Sequence, residues 1–164
     1  MLAQLPARRE DQIYNHNLAA TGEAKMKETL KLKNDMAELN KLHSFIEKLG
    51  RKLCLPKKYI IETTLALEEV VSNIIAYAYG NRKDHVIKIS VIPPVNGSLV
   101  LRVEDSGRPF NPLNVAEPDL TYELETCDIG GLGIHLVRKL MDDVSYDYRE
   151  RKNVLEMKKS IKPS

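Results

Sequence analysis

Polar and apolar residues alternate through ETLKLK, between Lys27 and Lys33, which is the period of a strand with one buried face. The pattern then turns helical. A first helix is expected from Met36 towards Cys54, capped by Asn34 or Asp35 and with Gly50 near its end. A second is expected from Pro56, a residue suited to a first helical turn, to about Tyr79, with Gly80 and Asn81 as its stop. Alternation returns in HVIKISVI at 85–92, ProProValAsnGly makes a turn at 93–97, and SLVLRVED starts another strand at Ser98, so this region reads as a hairpin. From Gly107 to Ile129 there is no clean period. Helical spacing resumes from Gly131 to Met141 through Leu132, Leu136, Val137 and Leu140, and strands at 143–149 and 153–159 close the chain. This order predicts an α+β fold: a two-layer α/β sandwich with helices on one face of a mixed, mainly antiparallel sheet.

The second helix carries an anomaly. Ile60, Thr64, Leu67, Val71, Ile74 and Ala78 form an apolar stripe that Ile61, Leu65, Val70 and Ile75 widen, leaving Glu62, Glu69 and Asn73 as a narrow polar strip. Helical spacing puts Glu69 and Asn73 within about 40° of each other. Such a strip either faces water, as on an ordinary amphipathic helix, or forms the wall of a site. Glu62, nearly two turns earlier, reads as solvated, and Glu68 lacks the four-residue spacing to Asn73.

At 164 residues and 43% hydrophobic content, the chain is expected to form one domain, over 26–161, preceded by a poorly ordered extension at 1–25. The 25 basic and 23 acidic residues leave a net charge of +2 with the signs interspersed, which gives no argument for direct nucleic-acid or membrane binding. The locally basic tail from Arg149 to Lys162 reads as a solvated edge strand. Cys54 and Cys127 have no metal-ligand spacing, which suits a reducing compartment. No apolar run approaches the roughly 18 residues of a membrane span, and a signal-peptide core is missing, so a soluble cytoplasmic protein is expected.

Candidate chemistry lies at the two ends of the aperiodic segment, which is far longer than the ~4 to 6 residues of a typical connection. VEDSGRPF at 103–110 places Asp105 and Gly107 where a strand gives out; IGGLGIHL at 129–136 places Gly130, Gly131 and Gly133 at a helix start. Glycines there permit close backbone approach, and the free N–H groups and dipole of a first helical turn attract phosphate. Equally, such glycines serve tight turns, and an Asp before Gly is a common turn former.

Taken together, LEEVVSNIIAYAYG, VEDSGRPFNP and GGLGIHLVRKLMDDVSY resemble the N box and the two glycine boxes of the GHKL ATPase superfamily, which includes gyrase, MutL and sensor histidine kinases. Within it, the chain is most similar, from about residue 26 to 160, to the bacterial anti-sigma factor serine/threonine kinases. The resemblance implies the Bergerat fold and a serine/threonine kinase using ATP and Mg²⁺. Glu69 would be the general base and Asn73 the Mg²⁺ ligand; Asp105 would accept from the adenine amino group. Gly107 would let the backbone approach the base, Gly131 and Gly133 would contact the phosphates, and Pro109, Phe110, Gly130, Leu132 and Ile134 would join them in binding the nucleotide, with an ATP lid over about 111–129. It also implies a homodimer that phosphorylates a STAS-type anti-anti-sigma protein and sequesters a sigma factor.

One departure is GluArgLysAsn at 150–153, where relatives often have a glycine in the last hairpin. Neither a GxxxxGK[ST] loop nor the HRD and DFG set of other kinases occurs. His43 lacks the acid that follows a phosphoacceptor histidine, and it reads as a helix residue. The alternative function is a non-catalytic ATP-binding interaction module that controls a partner-switching pathway.

Overall fold

The structure is a computed structural model that describes residues 27–80, 84–95, 97–114 and 129–161; the expected extension at 1–25 and most of the expected lid lie outside these. The chain forms β1 (Glu28–Lys33), a 3-10 turn (Met36–Glu38), α1 (Leu39–Lys52) and α2 (Lys57–Asn73), which runs on into a π-helical turn (Ile74–Ala78). Then come β2 (Val86–Val95), β3 (Ser98–Asp105), a 3-10 turn (Pro112–Asn114), α3 (Ile129–Leu140), β4 (Asp143–Arg149) and β5 (Lys152–Ser160). Of the two candidate caps, Asp35 does the capping: its side chain accepts from the Ala37 N–H.

The sheet has the order β1-β2-β3-β5-β4, and every pairing is antiparallel. The parallel component allowed for in the expected mixed sheet is therefore missing among the described strands. Topology explains why. The chain leaves β3, passes through α3 and returns as β4, two positions away; β5 then fills the gap and separates the two strands that run in the same direction.

One sheet face is apolar. Leu32, Ile87, Ile89, Val91, Leu99, Leu101, Val103, Leu155 and Met157 meet Leu42, Ile46 and Leu49 of α1, Ala66, Leu67, Val70 and Val71 of α2 and Val137 of α3 in one core. Each of these side chains larger than alanine contributes about 1.5–3 kcal/mol by leaving water. The opposite face carries cross-strand ion pairs, Lys88 with Glu104 at 2.9 Å, Arg102 with Glu156 at 2.6 Å and Lys158 with Asp143 at 3.1 Å. A layer of helices can thus cover only one side.

Three local expectations change. Ile61 and Leu65 are exposed while Thr63 and Ala66 are buried, so α2 turns its smaller residues to the core, where they allow close approach. The turn expected at 93–97 is shorter, because β2 continues through Pro93 and Pro94 to Val95 with a register irregularity after Ile92. The prolines lie beyond the end of β1's pairing at Val91, where their missing N–H groups break no ladder.

Glu62 is also not merely solvated. Its Oε2 is shut off from water and lies 2.7 Å from Lys159 Nζ, which also donates to the Leu140 carbonyl at 2.6 Å, tying α2 to β5 and the end of α3. Lys159→Met would leave this carboxylate only the exposed Lys58, 3.8 Å from its Oε1, and we expect a loss of about 2 kcal/mol in chemical denaturation.

The last hairpin resolves its missing glycine by strain. Arg149 pairs with Lys152 across a two-residue turn, and Glu150 and Arg151 both have positive φ, 52° and 60°. Left-handed backbone costs a non-glycine residue roughly 1–2 kcal/mol. Replacing Glu150–Arg151 by Asn–Gly, the pair such turns favour, is expected to stabilise the fold by about 1 kcal/mol, read as a melting temperature higher by roughly 2–4 °C.

Candidate active site

Glu69 and Asn73 lie on consecutive turns of α2 and are joined: the Asn73 Nδ2 group donates to Glu69 Oε1 at 3.0 Å. With Nδ2 committed, Asn73 Oδ1 is the atom left to accept or to ligate. The strip does not simply face water. At Gly133, in the second turn of α3, a Cβ would overlap the Glu69 carboxylate and lie 2.8 Å from its Cγ. Glycine is required there by close approach, and it lets the helix start lie directly against the acid. Gly130, Gly131 and Leu132 occupy the first turn of the same helix, whose leading N–H groups have no partners within the helix. Ile134, next in line, is buried in the core, so only its backbone is available to a ligand.

The π-helical turn after Asn73 links this pair to the first glycine loop. The carbonyls of its last residues have no partner within the helix: Ala78 O accepts the Arg108 N–H at 3.0 Å, and Tyr77 O accepts Arg108 Nη2 at 3.2 Å. Gly107 is pressed against the turn, where a Cβ would lie 2.6 Å from Ala78 Cβ and 2.8 Å from Ala78 O. Thus the end of α2 and the end of β3 form one continuous wall.

Asp105 ends β3 and is only 5% exposed. Its Oδ1 accepts from the Gly107 N–H at 2.7 Å and from Asn153 Nδ2 at 3.0 Å. No hydrogen bond among the described residues reaches Oδ2. The two readings of Asp105 therefore coexist, with one oxygen making an Asx turn and the other left for a ligand. Burial pushes its carboxyl above the usual carboxylate range, against the pull of the two donors. Because the folded state favours the proton, this group alone makes the fold less stable as pH rises from the ordinary carboxylate range to the raised value. Pro109 and Phe110 are exposed beside it, and the Phe110 N–H donates to Asn153 Oδ1 at 3.2 Å.

Asn153 is the residue that motif reading misses. Named in the hairpin stretch 150–153 and as the first residue of the expected strand 153–159, it is the second residue of β5, and what the sequence does not show is that it lies directly opposite Asp105 in the ladder. At the far end of the loop region, Arg138 Nη2 donates to the Leu113 carbonyl at 2.6 Å, holding the 3-10 turn of 112–114 to α3. Of the expected lid, only 111–114 and Ile129 are described. His43 is a surface residue of α1, paired with Glu68 across to α2 at 3.0 Å.

The residues can be tested for fit to Mg²⁺. Among the described residues, no group of three or more His, Cys, Asp or Glu could hold a metal. Asn73 Oδ1 is one hard oxygen ligand, which suits an ion that keeps several waters and takes phosphate oxygens. The site thus fits Mg²⁺ arriving with a nucleotide and does not fit a free metal.

A helix acid and amide thus lie against a glycine-opened helix, in line with a buried strand-end aspartate. Residues 32–159 match the histidine kinase-like ATPase domain, and the chain belongs to this family. It is similar to the serine-protein kinase RsbW of Listeria monocytogenes, with 29% identity over 103 residues covering 60% of this chain and 65% of that protein. It is also similar to the serine/threonine-protein kinase BtrW of Bordetella bronchiseptica, with 27% identity over 94 residues covering 57% and 66%. The match thus spans just under two thirds of each relative. The RsbU and RsbW domains of a Mycobacterium tuberculosis protein share the fold at a TM-score of 0.62 and 11% identity, over 85% of this chain and 33% of that one. The blue-light-activated histidine kinase domain of Erythrobacter litoralis has a TM-score of 0.50 and 18% identity, covering 93% and 71%. No helix among the described residues is long and apolar enough to cross a membrane.

Proposed function

We propose that this protein is an ATP-dependent serine/threonine kinase of the anti-sigma type, which phosphorylates a serine of a STAS-type anti-anti-sigma protein and alternately sequesters a sigma factor. The supporting observation is the hydrogen-bonded Glu69–Asn73 pair set against α3 at Gly133, which brings a carboxylate, an amide oxygen and a helix start together in one wall. Similarity to the RsbW and BtrW kinases supports the same reading.

In this reading, Glu69 accepts the proton of the attacking serine hydroxyl, and its hydrogen bond to Asn73 holds the carboxylate in place. Asp105 Oδ2 accepts from the adenine amino group. Gly107 lets the backbone approach the base, and Gly130, Gly131 and Gly133 open α3 to the phosphates. When bound with the nucleotide, Mg²⁺ would be held on the protein side by Asn73 Oδ1 and would supply charge neutralisation at the transferred phosphoryl group. The whole would act as a homodimer in the cytoplasm.

Because Asn73 alone cannot hold the metal, calorimetry is expected to show no saturable Mg²⁺ binding without nucleotide and clear Mg²⁺ dependence of ATP binding. Saturable binding of Mg²⁺ alone at micromolar levels would refute this arrangement. The activity itself is tested by incubating the purified protein with γ-labelled ATP, Mg²⁺ and STAS-domain proteins from the same genome. Label on a serine supports the kinase. Tight ATP binding with no label on any candidate would favour the nucleotide-controlled interaction module.

A further inference from the structure

We infer that Asn153 sets adenine specificity as a positioning residue, by holding Asp105 as a hydrogen-bond acceptor with Oδ2 turned to the base. This rests on the nucleotide reading above.

Asn153 is 8% exposed, and its amide makes contacts on both sides. Nδ2 donates to Asp105 Oδ1 at 3.0 Å and faces the carbonyls of Arg108 at 3.1 Å and Gly107 at 3.4 Å. Oδ1 accepts from the Tyr146 hydroxyl at 2.7 Å and the Phe110 N–H at 3.2 Å. The orientation is forced by chemistry, since a reversed amide would put its oxygen against a carboxylate and two carbonyls and its N–H₂ against the Phe110 N–H. Burial, the largest influence, pushes the Tyr146 hydroxyl up, so it stays protonated as the donor that locks the amide.

The consequence falls on Asp105. Its Oδ1 is occupied by two donors, Gly107 N–H and Asn153 Nδ2, which stabilise the ionised form and fix the plane of the carboxylate. In the ionised form, Oδ2 is then a pure acceptor. Adenine presents a donating amino group to it, whereas hypoxanthine and guanine present a carbonyl, which an ionised carboxylate repels. Without the Asn153 donor, a buried carboxyl keeps one protein hydrogen bond, its position loosens and its protonated form gains. A protonated Asp105 could donate to a base carbonyl, so discrimination would fall. No motif marks Asn153, because the property depends on its being opposite Asp105 in the β3–β5 register.

The test compares dissociation constants for ATP and inosine triphosphate in the full chain, with thermal melting to check folding. Asn153→Ala is expected to weaken ATP roughly 10- to 100-fold, the worth of a hydrogen bond to a charged group, while inosine triphosphate changes by less than about threefold. The ATP preference therefore collapses. Tyr146→Phe, which removes only the hydroxyl that locks the amide, is expected to shift the ratio in the same direction by less. A folded Asn153→Ala variant that weakens both nucleotides equally, or neither, overturns the inference. If that variant does not fold, an unchanged ratio in folded Tyr146→Phe overturns it. A wild-type protein that binds neither nucleotide would instead remove the nucleotide reading itself.

Discussion

Glu69→Gln is expected to reduce phosphotransfer by about 10²- to 10⁴-fold, the usual worth of a positioned general base, while ATP affinity stays within roughly threefold of wild type. The split arises from the site geometry. Glutamine keeps a carbonyl oxygen that can accept from Asn73 Nδ2, so the amide remains turned with Oδ1 outward. What disappears is the capacity to take a proton. Single-turnover transfer from ATP, measured beside equilibrium nucleotide binding, checks both halves. Undiminished transfer would remove Glu69 from the base role, and a parallel loss of binding would make it a ligand instead.

The second large effect is expected at Gly133. An alanine Cβ there would fall on the Glu69 carboxylate, which is the mobile end of a flexible side chain and can swing away without disturbing the backbone. The fold should therefore tolerate Gly133→Ala, with a change in stability of no more than about 1 kcal/mol. The active site should not. Displacing the carboxylate breaks its bond to Asn73, so both base and metal ligand lose their positions, and transfer is expected to fall about 100-fold, since small misplacements of reacting groups carry penalties of that order. Circular dichroism melting beside the transfer assay separates these outcomes. A destabilised protein with normal specific activity would contradict the close approach.

The contrast with Gly107 is instructive. There the atoms a Cβ would meet include the Ala78 backbone carbonyl, which cannot swing aside, so the same substitution must move the loop itself. One glycine lets a carboxylate side chain lie against a helix; the other lets two backbones touch.

Much of this was legible in sequence, for a physical reason. The β1 and β3 alternations, the helical spacing of α1 to α3 and the glycine-marked loop ends are local patterns, and each produced an element near its expected place. The pairing of Glu69 with Asn73 was legible too, because it needs only the helical period. What remained hidden depends on distant contacts. Asn153 meets Asp105 only because β5 lies between β3 and β4, and no spacing along the chain encodes that register. Glu62 looked solvated because Lys159, 97 positions later, is brought to it by the same strand. Likewise, periodicity alone could not tell which apolar residues of α2 face the core, since the helix is apolar around most of its circumference.

The hairpin at Glu150–Arg151 shows a different limit. A two-residue connection needs positive φ at both positions, and residues that disfavour it occupy both, so tertiary pairing of β4 with β5 overrides local preference.

The most direct test of the central claim, that the polar strip of α2 is a wall of an ATP site, is a crystal structure with Mg²⁺ and a non-hydrolysable ATP analogue. We predict Mg²⁺ ligated by Asn73 Oδ1, the adenine amino group within hydrogen-bond distance of Asp105 Oδ2, and phosphate oxygens at the first turn of α3. A nucleotide bound elsewhere, or bound here with Asn73 and Asp105 making no contact to metal or base, would contradict the account.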